Sequence, residues 1–192
     1  MNTLKKYRIF LVILLLIASS AFWYLTNDNG GEAAKDGERN YPFTNPDLQL
    51  RYTDDELGFF VDYPEGFTVN EMEEENVKVL VFSKIDSDLP AGEAGESFQI
   101  FAMPFDESGP ITPERIFIDQ PDMVMKDPQT VQIAGEEALV FFGTDPDIGD
   151  VREVWFVHPS TTLGASGHLY QASTYAKYDE LLAKVMKTFK FK

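Results

Sequence analysis

Cysteine is absent from this chain of 192 residues, and histidine occurs only twice. The missing cysteine excludes disulfide bonds, thiolate nucleophiles, cysteine metal ligands and a lipid anchor attached to a cysteine side chain. Two histidines are too few for a three-histidine metal centre, and the sequence contains no His-Glu-x-x-His helix and no P-loop. The sequence therefore predicts no catalytic residue, and we expect a protein that is not an enzyme.

Basic residues are also scarce. The chain has 16 Lys and Arg against 32 Asp and Glu, a formal net charge of -16, and the whole acidic excess falls in residues 48–192. A domain of this charge is repelled by nucleic acid and by anionic lipid head groups. The expected partners are a basic protein or divalent cations. The alternative is that the charge only keeps the domain soluble.

One long apolar run lies near the N-terminus. Residues 9–25 carry no charge, and three basic residues precede them in the short segment 1–8. Seventeen residues are near the lower limit for a helix that spans a bilayer. Because basic flanks stay in the cytoplasm, we predict a single-pass cell-membrane anchor with the rest of the chain outside.

A cleaved signal peptide is the other interpretation of the same run. Ser19 and Ala21 give the small-x-small pattern of a cleavage site after Ala21. The bulky aromatic residues that follow continue the apolar segment and favour a retained anchor. Both interpretations place the remaining chain outside the cytoplasm, and cleavage would make it a secreted protein.

The region after the anchor divides into a linker and one domain. Residues 26–47 are rich in glycine, proline and charge, which is typical of a flexible linker. Residues 48–192 show the period-two alternation of strands, with two helical interruptions. The first helix is predicted to begin at Thr112 and Pro113 and to end at Pro121, and the second covers 178–189.

The order is therefore four strands, a short helix, four strands and a C-terminal helix. Short connections between strands favour antiparallel pairing. The predicted fold class is α+β, an antiparallel β-sheet covered by two helices in a sandwich. The acidic run Glu71–Glu75 is expected to form a solvated turn.

Three sequence pieces carry a family resemblance. They are Tyr52–Phe59 with the following Tyr63–Phe67, then Val131–Gly135 before a returning strand, and finally Tyr170–Tyr175 with the Phe-rich C-terminal end. Together they resemble the PsbP-like domains, the fold shared by an extrinsic subunit of photosystem II and bacterial envelope lipoproteins of the DcrB type. The resemblance covers nearly all of residues 48–192.

The resemblance implies an α+β fold and accessory or binding roles rather than catalysis. We expect no cofactor other than a divalent cation. The matching positions mark turns and core residues, so no functional residue is carried over. This chain departs from the lipoprotein members because it has no cysteine to lipidate.

The two histidines form the first candidate metal site. If the strands that end at His158 and begin at His168 form a hairpin centred near residues 162–164, then Phe156 faces Tyr170 and the histidines face each other. Directly opposed residues have Cβ atoms about 5 Å apart, which allows both imidazoles to reach one metal ion. A carboxylate ligand would have to come from elsewhere. The alternative is two exposed histidines at the mouth of a hairpin.

Three aspartates form the second candidate. Asp145, Asp147 and Asp150 lie in an oxygen-rich loop, but the loop departs from the EF-hand pattern, with Phe156 in the place of the bidentate glutamate. A simple turn between two strands is the alternative.

We therefore expect a membrane-tethered, extracytoplasmic accessory or interaction domain. The alternative function is an envelope domain that binds a divalent cation, namely calcium, manganese or zinc.

Overall fold

The computed structural model describes residues 47–74, 76–84, 95–105, 107, 109–145, 149–159 and 167–192. The predicted membrane anchor 9–25 and the linker up to residue 46 lie outside these residues. Among the helices in the described ranges, none has the length and apolar character needed to cross a membrane.

The described chain consists of ten strands, two α-helices and one 3-10 turn (Ala176–Tyr178). The elements in chain order are β1 (Leu50–Asp54), β2 (Phe59–Tyr63), β3 (Phe67–Glu74), β4 (Val77–Lys84), β5 (Ser97–Phe105), α1 (Pro113–Asp119), β6 (Val124–Ile133), β7 (Glu136–Asp145), β8 (Gly149–His158), β9 (Gly167–Tyr175), α2 (Asp179–Met186) and β10 (Lys190–Phe191).

The strands form two sheets in which every pair is antiparallel. The larger sheet has seven strands in the order β3-β4-β5-β9-β8-β7-β6, and the smaller has three in the order β1-β2-β10. The predicted α+β class and the antiparallel pairing are thus confirmed. The prediction of a single sheet covered only by helices was wrong. Strands β1 and β10 join β2 in a second sheet, and this sheet covers one face of the large sheet together with α2.

The main core lies between the two sheets. Phe189, directly after α2, is fully buried and stacks on Phe59 of the small sheet with ring centroids 4.7 Å apart. It also meets Phe156 and Tyr170 of the large sheet in edge-on contacts at 5.3 and 5.7 Å. A single aromatic side chain therefore links the C-terminal segment to both sheets.

The opposite face of the large sheet carries a second apolar cluster under α1. Thr112 caps this helix by accepting a hydrogen bond from the Arg115 backbone N–H at 3.3 Å, and Pro113 occupies its first turn. Ile116 is fully buried in the cluster beside Trp155. The predicted start and end of this helix are confirmed.

The prediction for the acidic run was wrong. The run Glu71–Glu74 is not a turn but the exposed second half of β3, because Val77 and Val79 on β4 provide a partner strand for it.

Strand β2 is buried on both faces, since Phe60 and Asp62 on its outer face are buried as well as Phe59 and Val61. Arg51 covers that face, with its guanidinium 4.4 Å from the centre of the Phe60 ring.

Candidate functional site

The two histidines lie side by side at one end of the large sheet. In the pairing of β8 with β9, Phe156 is opposite Tyr170 and His158 is opposite His168. The predicted register is therefore confirmed, although the turn residues 162–164 lie outside the described residues. Both histidines are half-buried rather than exposed.

A carboxylate from the neighbouring strand contacts one of the two histidines. Glu136, the first residue of β7, places its Oε1 atom 2.7 Å from His158 Nδ1. The imidazole of His158 also stacks on Phe191 of β10 at a centroid distance of 3.5 Å. Because Glu136 occupies Nδ1, the nitrogen of His158 left for a ligand is Nε2.

His168 stands in a different electrostatic environment. Burial lowers the pKa of His168 below its usual range, and a charge on His158 lowers it further, whereas Glu56 acts in the opposite direction. A low pKa keeps the imidazole neutral near pH 7, which is the form that binds metals. The pair can therefore offer a neutral imidazole beside one that is held by a carboxylate.

The predicted aspartate group lies far from the histidines. Asp150 is at the opposite end of β8, eight residues from His158, which corresponds to about 26 Å along an extended strand. Its Oδ1 accepts a hydrogen bond from Thr144 Oγ1 at 2.8 Å and lies 3.7 Å from Lys126 Nζ. Asp145 is the last residue of β7, and Asp147 lies outside the described residues.

In the ranges that the structure describes, no three His, Asp or Glu side chains come together in a group that could hold a metal ion. A site at the histidine pair therefore needs a further ligand. Sequence reasoning did not identify Glu136. The signal lies in the register of β7 with β8: Ala138 pairs with Phe156, and the same pairing continued by two residues sets Glu136 beside His158.

The large sheet also has an open edge. Strand β6 pairs with β7 on one side, and no described strand lies on its other side. The side chains of residues 126–132 are all exposed, and Val131 remains 37 % exposed. The opposite edge of the sheet, β3, differs in that it is strongly acidic, with Glu71, Glu73 and Glu74 exposed.

The fold places this protein in the class of α+β sandwiches with two antiparallel sheets. Its large sheet has an open edge strand and a pair of opposed histidines. No protein-family model matches the chain, and no curated protein matches it. Solved structures similar to the chain include a cyanobacterial PsbP (CyanoP) from Synechocystis sp. PCC 6803. The two are 14% identical, with a TM-score of 0.46 over 80% of this chain and 98% of that one.

A crystal structure from Bacteroides thetaiotaomicron is also similar, with 14% identity and a TM-score of 0.44 over 74% of this chain. This chain spans about half of that protein, 48% of its length. A PsbP is thus among the structures that the chain is similar to, in agreement with the sequence resemblance. At these values the likeness concerns the fold alone and carries no information on function.

Proposed function

We propose that this protein is a membrane-tethered, extracytoplasmic interaction domain that binds another protein without catalysing a reaction. The apolar segment 9–25 with its basic flank supports the tether and the orientation. A linker of about 20 residues rich in glycine would hold the domain on the order of 25 Å from the membrane.

The observation that carries the interaction role is the exposure of β6. An edge strand presents unpaired backbone donors and acceptors, and proteins that do not use such an edge usually protect it with charge or cover it. The β3 edge carries this protection in its three exposed glutamates. On β6 the protection is confined to Lys126, Asp127, Pro128 and the bulge beside them, and residues 129–133 contain no charged side chain. The stretch 129–133 is therefore the edge segment best suited to bind a partner.

The tether and the role are tested together in intact cells. Protease added outside spheroplasts should digest the domain while the N-terminal segment stays in the membrane fraction, and cross-linking of the full chain should recover the same partner in repeated experiments. A chain found in the cytosol, or one that yields no reproducible partner under several cross-linking conditions, would refute the proposal.

A second candidate function is the binding of a divalent cation at the histidine pair. The observation that favours it is that His158 and His168 are paired across β8 and β9, while Glu136 orients the His158 imidazole through its Nδ1 atom. This arrangement is typical of metal-binding histidines, which usually donate their other ring N–H to a carboxylate. Nitrogen ligands of this kind favour zinc over calcium.

Calorimetry of the full chain with zinc, manganese and calcium tests this candidate. Zinc binding that is lost in His158→Ala and in His168→Ala, and retained in Asp150→Ala, would support the histidine site. Loss in Asp150→Ala alone would instead support the aspartate loop. Affinities no tighter than about 1 mM for all three ions would exclude both sites.

A further inference from the structure

The open edge of β6 is short and well delimited. The pairing of β6 with β7 shifts between Lys126 and Gln129, where Asp127 has a positive φ of 50°. Such a bulge interrupts the ladder, and Pro128 has no backbone N–H to offer. The usable edge is therefore the regular stretch of five residues 129–133.

The orientation of the backbone along this stretch follows from the turn that ends it. Ile133 and Glu136 flank a two-residue turn and are paired. The two residues that flank such a turn bond to each other through their backbone N–H and C=O groups. Every second residue of β6, counted back from Ile133, therefore bonds to β7, and the backbone groups of the residues between them point away from β7. The outward N–H and C=O groups thus belong to Thr130 and Gln132.

The two faces of this stretch differ in chemistry. Val131 and Ile133 are on the face of the main core, where Ile133 is buried. Thr130 and Gln132 lie on the opposite face and are exposed. A strand added here would continue the core with apolar side chains on one face and present polar side chains on the other.

The charges around the stretch determine which residues are favoured at the two ends of an added strand. The exposed carboxylates of Asp127 and Glu137 flank the uncharged stretch, Asp127 before it and Glu137 beside Gln132 on β7. The net charge of -16 disfavours a second copy of this chain at the same edge. Basic residues at both ends of an added strand would complement the two carboxylates.

We propose that residues 129–133 bind an extended segment of a cationic partner protein as an additional strand, with alternating aliphatic and polar residues between basic ends. This proposal rests on the interaction role proposed above and gives it a surface and a partner chemistry. The backbone of Thr130 and Gln132 supplies the affinity, the exposed Val131 selects an aliphatic neighbour, and the two carboxylates select the basic ends.

The test uses the full chain in detergent and a fluorescent synthetic peptide with the sequence Lys-Lys-Val-Thr-Val-Thr-Val-Lys-Lys. Fluorescence anisotropy measures the binding of the peptide. Thr130→Pro removes an outward donor at a position where an edge strand tolerates proline, and should weaken binding about 10-fold or more. Glu73→Pro makes the same change on the β3 edge and should leave binding unchanged. The same peptide N-methylated at alternate residues should not bind.

Charge is tested by a matched pair of double variants. Asp127→Asn with Glu137→Gln should weaken binding of the lysine peptide and reduce its salt dependence. Glu73→Gln with Glu74→Gln removes the same charge from the other edge and should have little effect. Equal losses from the two double variants would show nonspecific attraction to an acidic protein and would overturn the proposal.

Equal binding of the N-methylated peptide, or equal losses in the two proline variants, would also overturn the proposal. If Thr130→Pro does not fold, a photo-cross-linker at position 130 that captures the peptide, against one at position 73 that does not, supports the proposal. A cellular partner that still cross-links to a folded Thr130→Pro protein would refute this edge while leaving the interaction role intact.

Discussion

Lys78 Nζ lies 2.5 Å from Asp54 Oδ2, and this ion pair joins the large sheet to the small one. The Asp54 side chain is fully buried, and its Oδ1 accepts a hydrogen bond from the Leu57 backbone N–H at 2.9 Å. Asp54 therefore fixes the turn between β1 and β2 while holding β4 against it. The side chain of Lys78 is 18% exposed, and Glu71 Oε2 is its second carboxylate partner at 3.6 Å.

The replacement Asp54→Ala should lower the free energy of unfolding by about 2 to 4 kcal/mol, because it removes the nearer carboxylate of a largely buried ammonium, which keeps only Glu71 Oε2 at 3.6 Å, and removes the acceptor of the Leu57 backbone N–H. Urea denaturation measures the change. The matched control is Asp55→Ala, which removes an exposed carboxylate paired with Lys192. It should cost less than about 0.5 kcal/mol, and equal costs for the two variants would contradict the role given to Asp54.

The stability of the domain should fall as the pH drops below 6.5. Burial and the neighbouring His158 lower the pKa of His168 in the folded protein below its unfolded value of 6.5. The unfolded chain therefore binds the proton first, and the contribution of His168 is present above pH 6.5 and lost as the pH falls towards the folded pKa. Urea midpoints at pH 7.5 and 5.5 should differ less in His168→Gln than in the parent. An identical pH dependence in the two proteins would contradict this prediction.

The turn between β6 and β7 contains an unfavourable residue. Ala134 has a positive φ of 52° and is followed by Gly135 at 89°. These angles match a type I′ turn, whose first central position favours asparagine over alanine. Ala134→Asn should raise the free energy of unfolding by up to about 1 kcal/mol, and Ala134→Val should lower it, since β-branched residues disfavour the left-handed region. Thermal unfolding measures both variants. Midpoints that shift in the same direction for both would contradict the role given to the conformation of Ala134.

The buried ring of Phe189 should dominate the stability of the C-terminal segment. Phe189→Ala removes contacts with Phe59, Phe156 and Tyr170 and should cost about 3 to 5 kcal/mol. Phe189→Leu should cost much less because it leaves a smaller cavity. Phe117→Ala on α1 is the control, since that ring is 39% exposed and its removal should cost under about 1 kcal/mol. Similar losses for Phe189→Ala and Phe117→Ala would contradict the packing described.

Local patterns in the sequence predicted most of the large sheet. The period-two alternation of residues 48–192 predicted a strand-rich domain, and a hairpin centred near residues 162–164 was enough to predict that the two histidines face each other. This succeeded because a short hairpin fixes a constant register between its strands. The helix start at Thr112 was equally local, since its capping residue and proline are adjacent in the chain.

The small sheet could not be predicted in the same way. Strand β10 has only two residues, and it pairs with β2 about 130 positions earlier in the chain. No local pattern encodes a contact over that separation. The acidic half of β3 was missed for a related reason, since its assignment depends on the partner strand β4 and not on its own composition.

By itself the sequence determined the acidic charge, the absence of cysteine, the strand-rich α+β class and the register that opposes His158 and His168, because each depends on composition or on neighbouring residues. Only the tertiary structure decided that β10 completes a second sheet, that Glu136 holds His158, and that the uncharged stretch 129–133 lies at an edge of the large sheet. Those features depend on which strands meet in space, and the free energy that selects them comes from apolar surface buried between distant segments.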